Sequence, residues 1–148
     1  MKNEMTVIFD AVSENEAFAR NTVAAFCVTL DPTVDQINDI KTAVSEAVTN
    51  CIVHAYPNSG TNKITIVTTV DDCSVHIVVS DTGVGIEDVD AAKQPFFTTK
   101  PEQERSGMGF TVMESFMDEL NVQPNIPSGT VVTMFKTIRG ADWKKKKL

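Results

Sequence analysis

Glu46-Ala47-Val48-Thr49-Asn50 is the stretch on which the fold of this chain turns. Four residues of α-helix rise about 6 Å and return to the same side, so Glu46 and Asn50 share one face. Ala43, Ala47 and Val53 flank that face with small or apolar side chains, an odd setting for a carboxylate and an amide that only solvate a helix. Taken alone, the segment reads equally as a helix-surface pair. Upstream, Asp31-Pro32 predicts the helix start, with Asp31 as N-cap and Pro32 in the first helical position. The helix is expected to run to about residue 53 and to turn Ile37, Val44, Val48 and Cys51 toward the core.

Toward the N-terminus, residues 5–9 read as a short strand. Ser13-Glu14-Asn15-Glu16 has capping-box form and should open a helix that buries Phe18, Thr22, Ala25 and Phe26. Glu16, Arg20, Val23 and Cys27 fall on or near another stripe. Downstream, residues 63–70 and 74–80 alternate β-branched positions like two strands joined by a turn at Asp71-Asp72. A glycine-punctuated loop over 81–86 follows. The chain from there to Arg105 lacks periodicity and holds Pro95 and Pro101, a length that suggests a functional lid. Residues 109–120 are helical in pattern, and Val122 with residues 130–138 completes a sheet through a turn at Pro127-Ser128-Gly129. Strands grouped in this order favour an α+β two-layer sandwich over a doubly wound sheet.

Two further motifs lie downstream of the helix pair. Asp81-Thr82-Gly83-Val84-Gly85 follows an apolar strand. A carboxylate at a strand end can accept from an exocyclic amine, and glycines two apart let the backbone pass close to a flat ligand. The same pattern also makes tight turns. Ser106-Gly107-Met108-Gly109 opens a helix just after Arg105, where free N–H groups and the positive helix end favour phosphate; a flexible hinge reads the same way. There is no GxxxxGK[ST] loop, and the stretch from Gly107 lacks the third glycine of a dinucleotide fingerprint.

The bulk properties narrow the function. A formal net charge of -7 and a pI near 4.7 argue against direct nucleic-acid binding, which needs a basic surface. Lys144 to Lys147, beside Trp143, read as a solvated tail. Cys27, Cys51 and Cys73 are odd in number and widely spaced, so neither a disulfide framework nor a zinc site is expected; reduced, mostly buried thiols in a reducing cytoplasm account for them. No apolar run is long enough to cross a bilayer, and Met1-Lys2-Asn3-Glu4 does not begin a signal peptide. A cytoplasmic location without membrane contact is expected.

Glu-x-x-x-Asn on a helix, Asp-x-Gly-x-Gly after a strand and Gly-x-Gly after a lid, in this order, resemble the nucleotide boxes of the Bergerat (GHKL) ATPase/kinase superfamily. Gly129-Thr130 resembles its final element. Glu46 to Tyr56 and Pro95-Phe96-Phe97-Thr98-Thr99-Lys100 are similar, within that superfamily, to bacterial switch kinases that act as anti-sigma factors. The resemblance implies a Bergerat-type sandwich over residues 1–140, with a mixed, mostly antiparallel sheet and helices on one face. Residues 141–148 would be a basic tail.

Carried over residue by residue, the resemblance implies ATP and Mg²⁺ as cofactors. Glu46 would polarise an attacking serine hydroxyl, Asn50 would coordinate Mg²⁺, and Asp81 would bond the adenine amino group beside Gly83 and Gly85. Gly107 and Gly109 would let the lid close, with Arg105 and Lys100 supplying positive charge. Arg105 reads equally as a solvated lid residue. Thr98, Thr99 and Thr130 would add polar contacts. Arg20, with Glu16 one turn away, resembles a partner-contacting arginine; composition alone makes the two a surface pair. The implied partners are a sigma factor of the sigma-F type, an anti-anti-sigma substrate and a second copy of the chain. A stress-response switch kinase, a non-catalytic ATP-gated binding module and a detached histidine-kinase ATPase domain are the alternatives. His54 and His76 read as packing residues.

Overall fold

A computed structural model of the chain describes residues 2–55, 62–85 and 109–138, with the side chains of residues 54 and 55 excepted. Strand β1 (Lys2–Asp10) is followed by helix α1 (Asn15–Cys27), a 3-10 turn (Val28–Leu30) and helix α2 (Val34–Asn50). A π-helical turn (Cys51–Ala55) extends α2. Strands β2 (Lys63–Asp71) and β3 (Ser74–Ser80), helix α3 (Gly109–Phe116), and strands β4 (Glu119–Pro124) and β5 (Thr130–Thr137) complete the described chain. The sheet runs β1-β2-β3-β5-β4. Every pairing among the described residues is antiparallel, where a mixed, mostly antiparallel sheet was expected. The architecture is the α+β sandwich that the grouped strands suggest.

Period-two alternation sets the core. Ile64, Ile66, Thr68 and Val70 of β2, Val75, Ile77 and Val79 of β3, and Val132 and Met134 of β5 are buried, and opposite residues in register face the same side. Against that face pack Ala19, Val23 and Cys27 of α1, Ile40, Ala43, Val44, Ala47 and Val48 of α2, and Phe110 and Met113 of α3. Among the described residues no helix is long and apolar enough to cross a membrane.

Four local expectations are corrected. The Ser13 capping box does not form: Glu14 is the N-cap, without a side-chain cap bond. The chain is already turning there, and Asn15 and Glu16 donate their N–H groups to Val12 and Ser13 carbonyls. Nor does Asp31-Pro32 start α2. Asp31 sits in the left-handed region at φ 52°, closing the 3-10 turn. Thr33 is the N-cap instead, in a reciprocal box with Gln36 that satisfies two backbone donors at once.

The buried stripe of α1 also differs from the expected one. Ala19, Val23, Ala24 and Cys27 are buried, while Phe18 is 51% exposed and Ala25 is exposed. Small side chains let α1 approach α2 and the sheet closely, and spacing favoured the bulkier Phe18 and Phe26 over the alanines that this approach buries. Finally, α3 ends at Phe116, not near residue 120. Glu119 and Leu120 pair with Phe135 and Met134 of β5, and Asp118 N–H donates to the Phe135 carbonyl at 2.9 Å. Strand pairing outcompetes the last helical turn.

Candidate nucleotide site

The site has two halves joined by consecutive residues of α2. In the first half, Glu46 and Asn50 share the face that their spacing predicts, and α3 closes on it. A Cβ added to Gly109 would lie 3.3 Å from both Glu46 Oε2 and Asn50 Oδ1. Glycine leaves room for that approach, since any Cβ would push both side chains back by a few tenths of an ångström. Asn50 Nδ2 is buried with no hydrogen-bond partner among the described residues. A buried donor left unmet is costly, so the amide is poised for a group that none of the described residues supplies.

In the second half, Asp81 ends β3 and is buried. Its Oδ1 accepts from Gly83 N–H at 2.9 Å and from Thr130 N–H at 3.2 Å. Its Oδ2 accepts from the Cys51 thiol at 3.4 Å. The Asp81 backbone is held too, because its N–H donates to the Thr130 carbonyl at 3.1 Å and its carbonyl accepts from Asn125 Nδ2 at 2.8 Å. Burial pushes the Asp81 carboxyl above its usual range, opposed by the Gly83 N–H, the Cys51 thiol and the Thr130 N–H. Burial, and then the Asp81 charge, push the Cys51 thiol well above the ordinary thiol range, so it stays protonated and can donate.

Glycine backbones set the walls. Gly85 has φ +80° and lies against Gly129, which has φ +104° and stands so close to Asp81 that a Cβ would meet its carbonyl oxygen at 2.1 Å. Ser128 Oγ donates to the Thr82 carbonyl at 3.1 Å. The loop after β3 and the turn before β5 are therefore built as one unit.

The structure thus brings together Glu46, Asn50 and Gly109, and separately Asp81, Gly83, Gly85 and Thr130. Thr130 contributes backbone N–H and carbonyl to this cluster. Thr98, Thr99, Lys100, Arg105 and Gly107 lie outside the described residues. Glu16 and Arg20 form an i, i+4 ion pair on α1 at 2.5 Å, with Arg20 partly buried. His76 packs edge-on against Phe135, with ring centroids 4.8 Å apart. Cys27 and Cys51 are buried and Cys73 is exposed.

Sequence reasoning missed two participants: Cys51 reads as a core position, and Asn125 carries no motif. Gly129 reads both as a turn residue and, with Thr130, as the final element of the resemblance.

Comparison with known proteins shows the family of the chain. Residues 9–136 match the family described as histidine kinase-like ATPase domain. A protein of Geobacillus kaustophilus (strain HTA426) named Anti-sigma F factor is 56% identical over 138 residues, 93% of this chain and 94% of its own length. One of the same name from Bacillus licheniformis is 54% identical over 136 residues, 92% of this chain and 93% of that protein. Among solved structures, the RsbU and RsbW domains of Rv1364c from Mycobacterium tuberculosis share the fold, with TM-score 0.67 at 17% identity, over 92% of this chain and 32% of that one. With its helix-borne Glu-Asn pair, its buried strand-end aspartate and this degree of likeness, the chain belongs to the histidine kinase-like ATPase domain family, among the anti-sigma F factors.

Proposed function

We propose that the chain is an ATP-dependent protein-serine kinase that also acts as an anti-sigma factor, binding a sigma-F-type factor in the cytoplasm and phosphorylating its anti-anti-sigma protein. The observation that carries the reading is the convergence of Glu46, Asn50 and Gly109, linked through Cys51 to the buried Asp81. The relatives named anti-sigma F factor support the partner assignment.

The residues fit the nucleotide. Among the described residues one acceptor position on Asp81 Oδ2 is left for the adenine amino group, and the glycine walls would set backbone beside the base. Asn50 would hold Mg²⁺ by its amide oxygen. Among the described residues no cluster of three His, Cys, Asp or Glu could hold a metal ion, which suits a cation that takes its other ligands from phosphates and water. Mg-ATP, when bound, would supply the phosphoryl group, and its cation would offset the phosphate charge. Glu46 orients the substrate hydroxyl and takes its proton, so the protein works mainly by positioning. The single helical turn between Glu46 and Asn50 keeps base and cation ligand in fixed register.

A depression lined by Met5, Phe18, Asn21, Thr22, Ala25 and Phe26 lies along α1, and Arg20 is on a different face of that helix; the dimer and partner part of the reading rests on the resemblance and the relatives' names. The deciding experiment incubates the protein with labelled Mg-ATP and candidate anti-anti-sigma proteins. Acid-stable label on serine is expected. Acid-labile label would indicate histidine chemistry, and ATP-dependent partner capture without any label would indicate a non-catalytic binding module.

A further inference from the structure

We infer that Cys51 is a positioning residue for base recognition: its thiol holds the Asp81 carboxylate so that one acceptor position on Oδ2 faces the 6-amino group of adenine. The inference rests on the nucleotide reading above and deepens it.

An ionised carboxylate offers about four in-plane acceptor positions, two on each oxygen. Gly83 N–H at 2.9 Å and Thr130 N–H at 3.2 Å occupy Oδ1. The Cys51 thiol takes one position on Oδ2. Among the described residues nothing takes the last. The described residues thereby fill every direction except one, and a ligand amine would meet an acceptor already oriented for it.

The placement of Cys51 is specific. It directly follows Asn50, is only 4% exposed, and begins the π-helical turn Cys51–Ala55. Such widened turns recur at functional sites. Consecutive residues thus serve opposite halves of the site: Asn50 lies beside Gly109 on α3, and Cys51 lies under Asp81 at the end of β3. A residue that only filled space here would need no donor. A thiol is a weak donor, but its acceptor is charged and buried, where such a bond gains strength.

The test compares ATP with purine riboside 5′-triphosphate, which lacks the 6-amino group, by calorimetry on the full chain. Wild type should prefer ATP. Cys51→Ala should weaken ATP binding by about fivefold to tenfold and leave the amino-free nucleotide within about twofold, so the preference shrinks. Cys51→Ser, which keeps a donor, should restore it. Should Cys51→Ala fold poorly, Cys51→Val fills the volume without a donor and carries the same expectation. Equal losses for both nucleotides, or serine no better than alanine, would overturn the role of Cys51 while leaving the nucleotide site intact. Wild type that binds neither nucleotide overturns the nucleotide reading, and this inference with it.

Discussion

Gly109 at the start of α3 stands so close to Asn50 of α2 that a Cβ added to it would lie 3.3 Å from the Asn50 amide oxygen. The same Cβ would press equally on Glu46 Oε2, so one hydrogen atom on Gly109 sets the room available to both side chains. Alanine is the better helix former by about 0.5–1 kcal/mol. Gly109→Ala should therefore hold or raise thermal stability while displacing the pair by a few tenths of an ångström. Phosphotransfer is expected to fall by about tenfold or more, given its sensitivity to positioning. Unchanged turnover in the folded variant would detach the pair from the chemistry.

Glu46→Ala removes the proton acceptor and leaves the base pocket at Asp81 in place. Single-turnover phosphorylation should slow by roughly 100-fold or more, with ATP affinity by calorimetry close to wild type. A variant that has lost ATP binding in parallel would place Glu46 in nucleotide binding instead.

Asp81→Asn separates stability from binding. Burial raises the folded carboxyl above its ordinary value, whereas the unfolded chain titrates near about 3.9. The folded state thus holds this proton more tightly. Its stabilising contribution is complete below the unfolded value and is lost as pH rises through the folded one. The uncharged variant, free of nucleotide, should match or exceed wild-type stability at pH 7, and the gap should close as pH falls across that window. Its ATP affinity should drop about tenfold or more, because a charged acceptor is lost. Urea melts over a pH series together with calorimetry read both effects; a variant weaker at pH 7 with normal ATP binding would contradict the account.

Gly129→Ala faces backbone rather than a flexible side chain. The added Cβ would meet the Asp81 carbonyl oxygen at 2.1 Å and Thr82 Cα at 2.7 Å, at φ +104°. A loss of about 3 kcal/mol or more is expected. Gly85→Ala, at φ +80° with its nearest contact at 3.3 Å, should cost about 1–2 kcal/mol. Denaturant melts that reversed this ranking would show that the two loops do not form one unit.

Arg20→Glu replaces an i, i+4 ion pair with two like charges, a change of only a few tenths of a kcal/mol. The variant should stay folded and fail to capture the sigma factor or the anti-anti-sigma protein in a pull-down. Undiminished capture of both would remove Arg20 from the partner surface.

The sheet and the Glu46–Asn50 face were legible because they depend on short-range periodicity: two residues per strand repeat, and four residues per return to a helix face. Helix ends were less legible. Ser13 and Asp31 each carry good capping chemistry, yet the chain turns before the first and closes a 3-10 turn at the second. The α1 stripe failed for a different reason, since Phe18 and Val23 mark two apolar faces and only packing against α2 chooses between them.

By itself, the sequence determined which chemical groups the site would contain and the order in which the chain presents them, because spacing along a helix or strand fixes which side chains share a face. Only the tertiary structure decided that Cys51 would donate to Asp81, that Gly109 would crowd Asn50, and that Gly129 would seat against the end of β3. Those contacts join residues tens of positions apart, and their distances follow from how α2, α3 and the sheet pack, which no local pattern encodes.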